Sequence, residues 1–196
     1  LLSKQTFIVA NGDVLADIDW RALLEFHRQQ GNSVTLAVQD RQHERRVGSD
    51  KQGRLLCIDK DCATPGVHRW TGYACAAVYE ASFLELLPAG ESHVVPYWLS
   101  ADSQVGVFDI GADAFWLDLG NPQTFAQAAD YVLGGDKRYL AEPLKVPYDT
   151  TLQNTVVIED DVVLGAGVSL DNVICLPGAR LEDGLNLKNS IVGEGF

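Results

Sequence analysis

The chain has 196 residues, with 15 Lys and Arg against 27 Asp and Glu and a formal net charge of −12. That acid surplus argues against a polyanion-binding surface, so neither nucleic acid nor an anionic membrane is an expected partner. With 46% hydrophobic residues, 21% charged and 7 Pro, the composition is that of a globular chain, and no apolar run approaches the roughly 18 residues of a membrane helix.

In chain order, Thr6–Ala10 is a continuous apolar run, expected as a buried strand that leaves its sheet at the turn Asn11-Gly12-Asp13. Asp17 or Asp19 can cap a helix whose Trp20, Leu23, Leu24 and His27 share a face, and Gly31 can end it. Val34, Leu36 and Val38 alternate with Thr35 and Ala37 as a strand, and the turn Asp50-Lys51-Gln52-Gly53 precedes another at Arg54–Ile58. The charged stretch Asp40–Arg46 reads as a solvated loop. Tyr73–Tyr79 is a further strand, Ala81–Leu87 a short helix stopped by Pro88, and a helix is expected near Val94–Leu99. Val105–Ile110 and Ala114–Leu117 are strands on either side of a turn at Gly111. Asn121 as N-cap, Pro122 in the first helical position, a stripe of Phe125, Ala128, Ala129 and Val132, and Gly134-Gly135 beyond it all predict one helix.

After the linker Glu142–Pro147 the period changes. Ile158, Leu164 and Leu170 are six apart, and Cys175, Leu181 and Leu187 repeat that spacing after a one-residue slip. Small or apolar residues follow each member four positions later: Val162, Val168, Ile174, Ala179, Leu185 and Ile191. A period of six fits neither helix nor hairpin. It fits a polygonal coil with an inward aliphatic on each side and glycines at the corners, here about two coils of a left-handed β-helix. The expected organisation is an α/β domain over 1–145 and the β-helix over 150–196. Self-association through the tail is expected, because a short solenoid exposes an unpaired end.

Cys57, Cys62, Cys75 and Cys175 form no C-x-x-C pair and have no His at zinc-like spacing, so reduced thiols and a reducing, cytoplasmic compartment are expected. The chain contains no Met, and Leu1–Gln5 lacks the layout of a signal peptide, so a fragment is expected. His27, His43, His68 and His93 have no Ser or Cys nucleophile in a recognisable motif and read as core or surface histidines. Trp70 and Trp116 read as core aromatics rather than sugar platforms.

The candidate chemistry lies in two carboxylates at predicted strand ends, Asp13 after Val9-Ala10-Asn11-Gly12 and Asp118 after Phe115-Trp116-Leu117. In an open α/β sheet the carboxyl ends of several strands meet at one crevice. Two hard oxygen ligands with open positions suit Mg²⁺, which keeps waters and takes its remaining ligands from phosphates.

The segments Phe7–Leu15, Val34–Val38, Thr71-Gly72-Tyr73 and Phe115-Trp116-Leu117-Asp118-Leu119-Gly120-Asn121-Pro122 together resemble the sugar-1-phosphate nucleotidyltransferases, in particular mannose-1-phosphate guanylyltransferase-like members with a hexapeptide-repeat tail. The resemblance implies a Rossmann-like nucleotidyltransferase sheet, N-terminally truncated, followed by the β-helix. It also implies Mg²⁺-dependent attack of a hexose-1-phosphate on the α-phosphate of a nucleoside triphosphate, with pyrophosphate leaving. Asp13 and Asp118 would hold the metal, Asn11, Gly12, Thr71 and Gly72 would lie against substrate, and Lys60 of Asp59-Lys60 would contact sugar or phosphate. The chain departs from the family in having no Gly-rich, Arg-containing loop and Pro-Lys segment for the nucleotide, and in carrying Asn121 and Pro96 where Thr and Asp are common. It is therefore expected to be inactive alone. Two rival readings stand beside this one. A hexapeptide-repeat acyltransferase would need a His between coils, whereas the last His is His93. A non-catalytic regulatory or assembly module would fit the missing phosphate loop.

Overall fold

The computed structural model describes residues 5–41, 46–59, 64–90, 93–100 and 103–195, which divide into two compact units, Leu1–Leu117 and Asp118–Phe196.

The first unit is α/β. Its elements are β1 (Phe7–Ala10), β2 (Val14–Ala16), α1 (Trp20–Gln30), β3 (Val34–Gln39), β4 (Val47–Ser49), β5 (Leu55–Ile58), β6 (Arg69–Tyr79), a 3-10 helix (Ala81–Leu86), α2 (Val95–Trp98), β7 (Val105–Asp109) and β8 (Trp116–Asp118), the last reaching the boundary. One mixed sheet runs in the order β5-β4-β6-β3-β7, with β1 also on β6, while β2 and β8 form a separate ribbon. Only β3 and β7 are parallel among the pairs of known register in that sheet.

α1 starts where Asp19 accepts a hydrogen bond from the Ala22 N–H, and it ends at Gly31, whose φ of 63° is the left-handed conformation that glycine adopts without a steric penalty. Of its expected apolar face, Leu23 and His27 are buried, whereas Trp20 is exposed. His27 is a satisfied core histidine. Its Nδ1 lies 2.8 Å from Thr35 Oγ1 and its Nε2 3.1 Å from Glu80 Oε1, so the ring ties α1 to β3 and to the end of β6. His68 and His93 are exposed, and His43 lies outside the described residues.

Two burial expectations need correction. The sequence of β3 alternates, but all six residues are buried, because β6 and β7 flank it and apolar clusters cover both faces. The apolar run of β1 predicts a buried strand, yet Ile8 is 41% and Val9 46% exposed, because β1 pairs only with β6 among the described residues. An apolar run records what a strand could bury, not what covers it.

The second unit holds α3 (Pro122–Leu133), β9 (Arg138–Leu140), β10 (Thr151–Ile158), β11 (Val163–Leu164), β12 (Ser169–Cys175), β13 (Arg180–Leu181) and β14 (Asn186–Val192). α3 forms as expected, with Asn121 Oδ1 accepting from the Thr124 N–H at 3.0 Å and Pro122 in the first turn. Its stripe is only half used: Ala128 is buried, but Phe125 and Val132 are exposed.

The remainder is a parallel β-solenoid. β10, β12 and β14 stack as three successive rungs with β9 beside β10, one rung more than the two coils expected, and β11 pairs with β13. The six-residue periodicity is borne out in register: Ile158 faces Cys175, Leu164 faces Leu181, and Leu170 faces Leu187. The slip, between Leu170 and Cys175 of β12, has a physical counterpart in a register shift opposite it, between Gln153 and Val156 of β10. Each long strand bends at an Asn in the left-handed region, Asn154 (φ 53°), Asn172 (φ 58°) and Asn189 (φ 49°). Asn tolerates this backbone better than most residues. Stacking satisfies its amide, as Asn172 Nδ2 donates to Asn189 Oδ1 at 2.8 Å and Asn154 Nδ2 donates to Asp171. Lys188, 2.7 Å away, holds the Asp171 carboxyl below the usual carboxylate range, with help from Asn154. At another corner Gly165 is obligatory, since a Cβ there would stand 2.5 Å from the Asp183 backbone nitrogen.

The cysteine expectation fails at one position. Cys57 is disulfide-bonded, while Cys75 and Cys175 are thiols outside any disulfide. Burial pushes the Cys175 thiol up to about 11. No helix among the described residues is long and apolar enough to cross a membrane.

Candidate functional site

Asn11, Gly12 and Asp13 form the exposed turn between β1 and β2. The Asn11 N–H donates to Cys75 O at 2.9 Å, which anchors the start of the turn on β6. Gly12 has open space where a Cβ would stand. The Asp13 carboxylate is exposed and takes no hydrogen bond or ion pair among the described residues.

Asp118 ends β8 and is exposed. Its Oδ1 accepts from the Gly120 N–H at 2.7 Å, and a Cβ at position 120 would lie 2.8 Å from that same oxygen. Gly120 thus fixes the carboxylate by leaving room for it, a role the sequence reading did not assign. Upstream, the Trp116 indole Nε1–H donates to Ala74 O at 3.2 Å, and the Arg41 guanidinium lies 3.5 Å from the ring centroid. This placement agrees with the core reading of Trp116. Trp70 likewise packs on backbone, 3.2 Å from where a Gly48 Cβ would be.

The other expected residues differ in setting. Thr71 is buried and its hydroxyl donates to Val47 O at 3.4 Å, while Gly72 is buried opposite Gln39. Lys60 lies outside the described residues. No group of three or more His, Cys, Asp or Glu that could hold a metal occurs among the described residues. The donor set at these turns is thus carboxylate oxygen alone. It fits Mg²⁺, which needs one or two protein carboxylates and fills its octahedron with water and phosphate.

A cavity of about 1030 Å³ belongs wholly to the second unit. It opens beside Leu119–Asn121 and runs between Phe125 and Gln127 of α3 and Asn172 and Ile191 of the solenoid. None of the expected site residues lines it.

No protein-family model matches the sequence. The mannose-1-phosphate guanylyltransferase of Mycobacterium tuberculosis is 27% identical over 93% of this chain and 55% of its own length. The mannose-1-phosphate guanyltransferase of Gibberella zeae is 27% identical over 95% of this chain and 58% of its own. The chain is homologous to the mannose-1-phosphate guanylyltransferases. Mannose-1-phosphate guanylyltransferase 1 of Arabidopsis thaliana, 22% identical over 98% of the chain, extends the relationship to plants. The homologues are thus sugar-1-phosphate nucleotidyltransferases, as the strand-end motifs led one to expect. The chain spans a little over half the length of these relatives. Among solved structures, HddC from Yersinia pseudotuberculosis shares the fold, with a TM-score of 0.50 and 16% identity over 65% of this chain and 55% of its own. The same protein has been crystallised in complex with GMP-PN.

Proposed function

We propose that this chain carries the acidic, sugar-facing part of a Mg²⁺-dependent sugar-1-phosphate nucleotidyltransferase acting on mannose-1-phosphate and GTP. The observation that carries the reading is similarity to guanylyltransferases along 93–98% of the chain. Two exposed carboxylates at strand ends support it. In this reading Asp13 and Asp118 hold the cation, which when bound would neutralise phosphate charge and orient the α-phosphate for in-line attack. Asn11 and Gly12 keep the first carboxylate on a turn pinned to β6, and Gly120 keeps the second turned toward its own backbone. Thr71 and Gly72 shape the sugar side through backbone packing, and Lys60 supplies a cation toward sugar or phosphate. The cytoplasm, where nucleoside triphosphates are made available, is the proposed location, and 1–145 and 150–196 are the proposed functional divisions. Self-association through the solenoid belongs to the same reading, since β14 pairs only with β12 among the described residues.

The test uses Mn²⁺ as a spectroscopic stand-in for Mg²⁺. Asp13→Asn and Asp118→Asn are each expected to weaken Mn²⁺ binding, read by water-proton relaxation, at least about tenfold with an unchanged melting temperature. Equal binding by wild type and both variants would overturn the metal assignment. In a parallel assay with mannose-1-phosphate and GTP, the chain alone is expected to release no pyrophosphate above background. Monomer sedimentation independent of concentration would remove the self-association. A non-catalytic regulatory or assembly module is the second reading.

A further inference from the structure

The β3–β6 pairing loses register between Leu36 and Val38: Leu36 faces Ala77 but Val38 faces Tyr73, so Ala74, Cys75 and Ala76 together oppose Ala37. Cys75 takes a φ of 59° to make this bulge. Successive carbonyls of a regular strand point to opposite sides. Here three in a row accept from three separate segments. Tyr73 O accepts from Arg41 Nη2 at 2.6 Å, Ala74 O from Trp116 Nε1 at 3.2 Å, and Cys75 O from the Asn11 N–H at 2.9 Å. The Arg41 guanidinium also stacks on the Trp116 ring, joining two of the three donors directly. A third side chain steadies the approach to β8: buried Gln39 donates through Nε2 to Gly111 O at 2.9 Å and Ala114 O at 2.6 Å.

Asn11 stands two residues before Asp13, and Trp116 two residues before Asp118. We infer that the β6 bulge, Tyr73–Cys75, is the common mount that sets both acidic strand ends, with Trp116 and Arg41 as positioning residues. The inference rests on reading Asp13 and Asp118 as the reactive carboxylates and deepens it. Bulges re-aim side chains and cluster near active sites, and partners behind a ligand orient it and tune metal affinity. The N–H bond to Ala74 O and the ring face under Arg41 fix the orientation of the Trp116 indole as well as filling volume. The sugar-platform role is disfavoured for Trp116 on the same grounds.

The experiment uses the 196-residue chain. Trp116→Phe removes the N–H but leaves a ring under Arg41. It is expected to shift the backbone amide resonances of Gly12 and Asp13, about a hundred positions away in sequence, as well as those of Leu117–Gly120, and to weaken Mn²⁺ binding about tenfold. Shifts confined to the neighbours of residue 116, with Gly12 and Asp13 unmoved, would overturn the proposal, as would a lower melting temperature with unaltered Mn²⁺ affinity. If wild type binds no Mn²⁺, the metal reading fails by itself, and the amide shifts still decide whether the bulge couples the two turns. Should Trp116→Phe fail to fold, Arg41→Lys takes its place: it keeps the charge but loses the planar fork that both stacks and reaches Tyr73 O. The same amide readout then decides.

Discussion

Leu170→Ala is expected to destabilise the solenoid by about 2–5 kcal/mol, the range for deleting a fully buried leucine where the surroundings relax only in part. Leu170 is wholly buried and sits in register between Leu152 of β10 and Leu187 of β14. Parallel rungs hold these neighbours at a fixed spacing of about 4.8 Å, so neither can move into the space without breaking its own ladder. Stability in a stacked coil is a sum of nearest-neighbour terms, and a middle rung contributes to two of them. Urea unfolding followed by far-UV circular dichroism measures the loss in the transition of the second unit. Val163→Ala, on the same coil but 46% exposed, is the control and should change stability by no more than about 0.5 kcal/mol. Equal midpoints for the two variants would contradict the solenoid core as described.

Phe83→Ala is expected to cost the first unit about 3–5 kcal/mol. Phe83 is 1% exposed, and its ring centroid lies 5.4 Å from that of Tyr79, which in turn stacks on Phe7 at 5.5 Å. The three rings connect the 3-10 helix, β6 and β1. Truncation leaves a void between elements that the sheet register holds apart, so little collapse is available. Thermal unfolding should show the transition of the first unit displaced downward while that of the solenoid stays put. An unchanged first transition would mean that the 3-10 helix is not part of the cooperative core.

Much of this was legible in the residues. Asn121-Pro122 and Asp19 with Gly31 announced the two long helices, because capping chemistry is local and each cap was found in place. The six-residue spacing and its slip announced the solenoid, since a repeat imposes its period on every coil. The strand-end motifs around Asp13 and Asp118 pointed to the family that the homologues belong to. What escaped notice was set by partners distant in sequence. β2, β4 and β9 have three residues each, too few for a period. The bulge at Cys75 lies in β6, which pairs with both β3 and β1, and nothing in Tyr73-Ala74-Cys75 declares it. Burial of β3 on both faces and exposure of β1 depend on what covers the sheet. The Asn corners were within reach, as Asn154, Asn172 and Asn189 recur after eighteen and then seventeen residues.

That recurrence bears on how such a tail can change over generations. Asn172 and Asn189, Leu170 and Leu187, and Cys175 and Val192 are all seventeen apart and in register. A tandem duplication of one seventeen-residue stretch would hand the fold a finished turn whose corner, aliphatic floor and backbone partners are already specified. Loss of the same stretch would shorten the stack and leave the remaining contacts intact. The tail is therefore a structure whose length evolution can alter in whole steps, and the shift in β10 shows that a one-residue difference between coils can be taken up within a single strand.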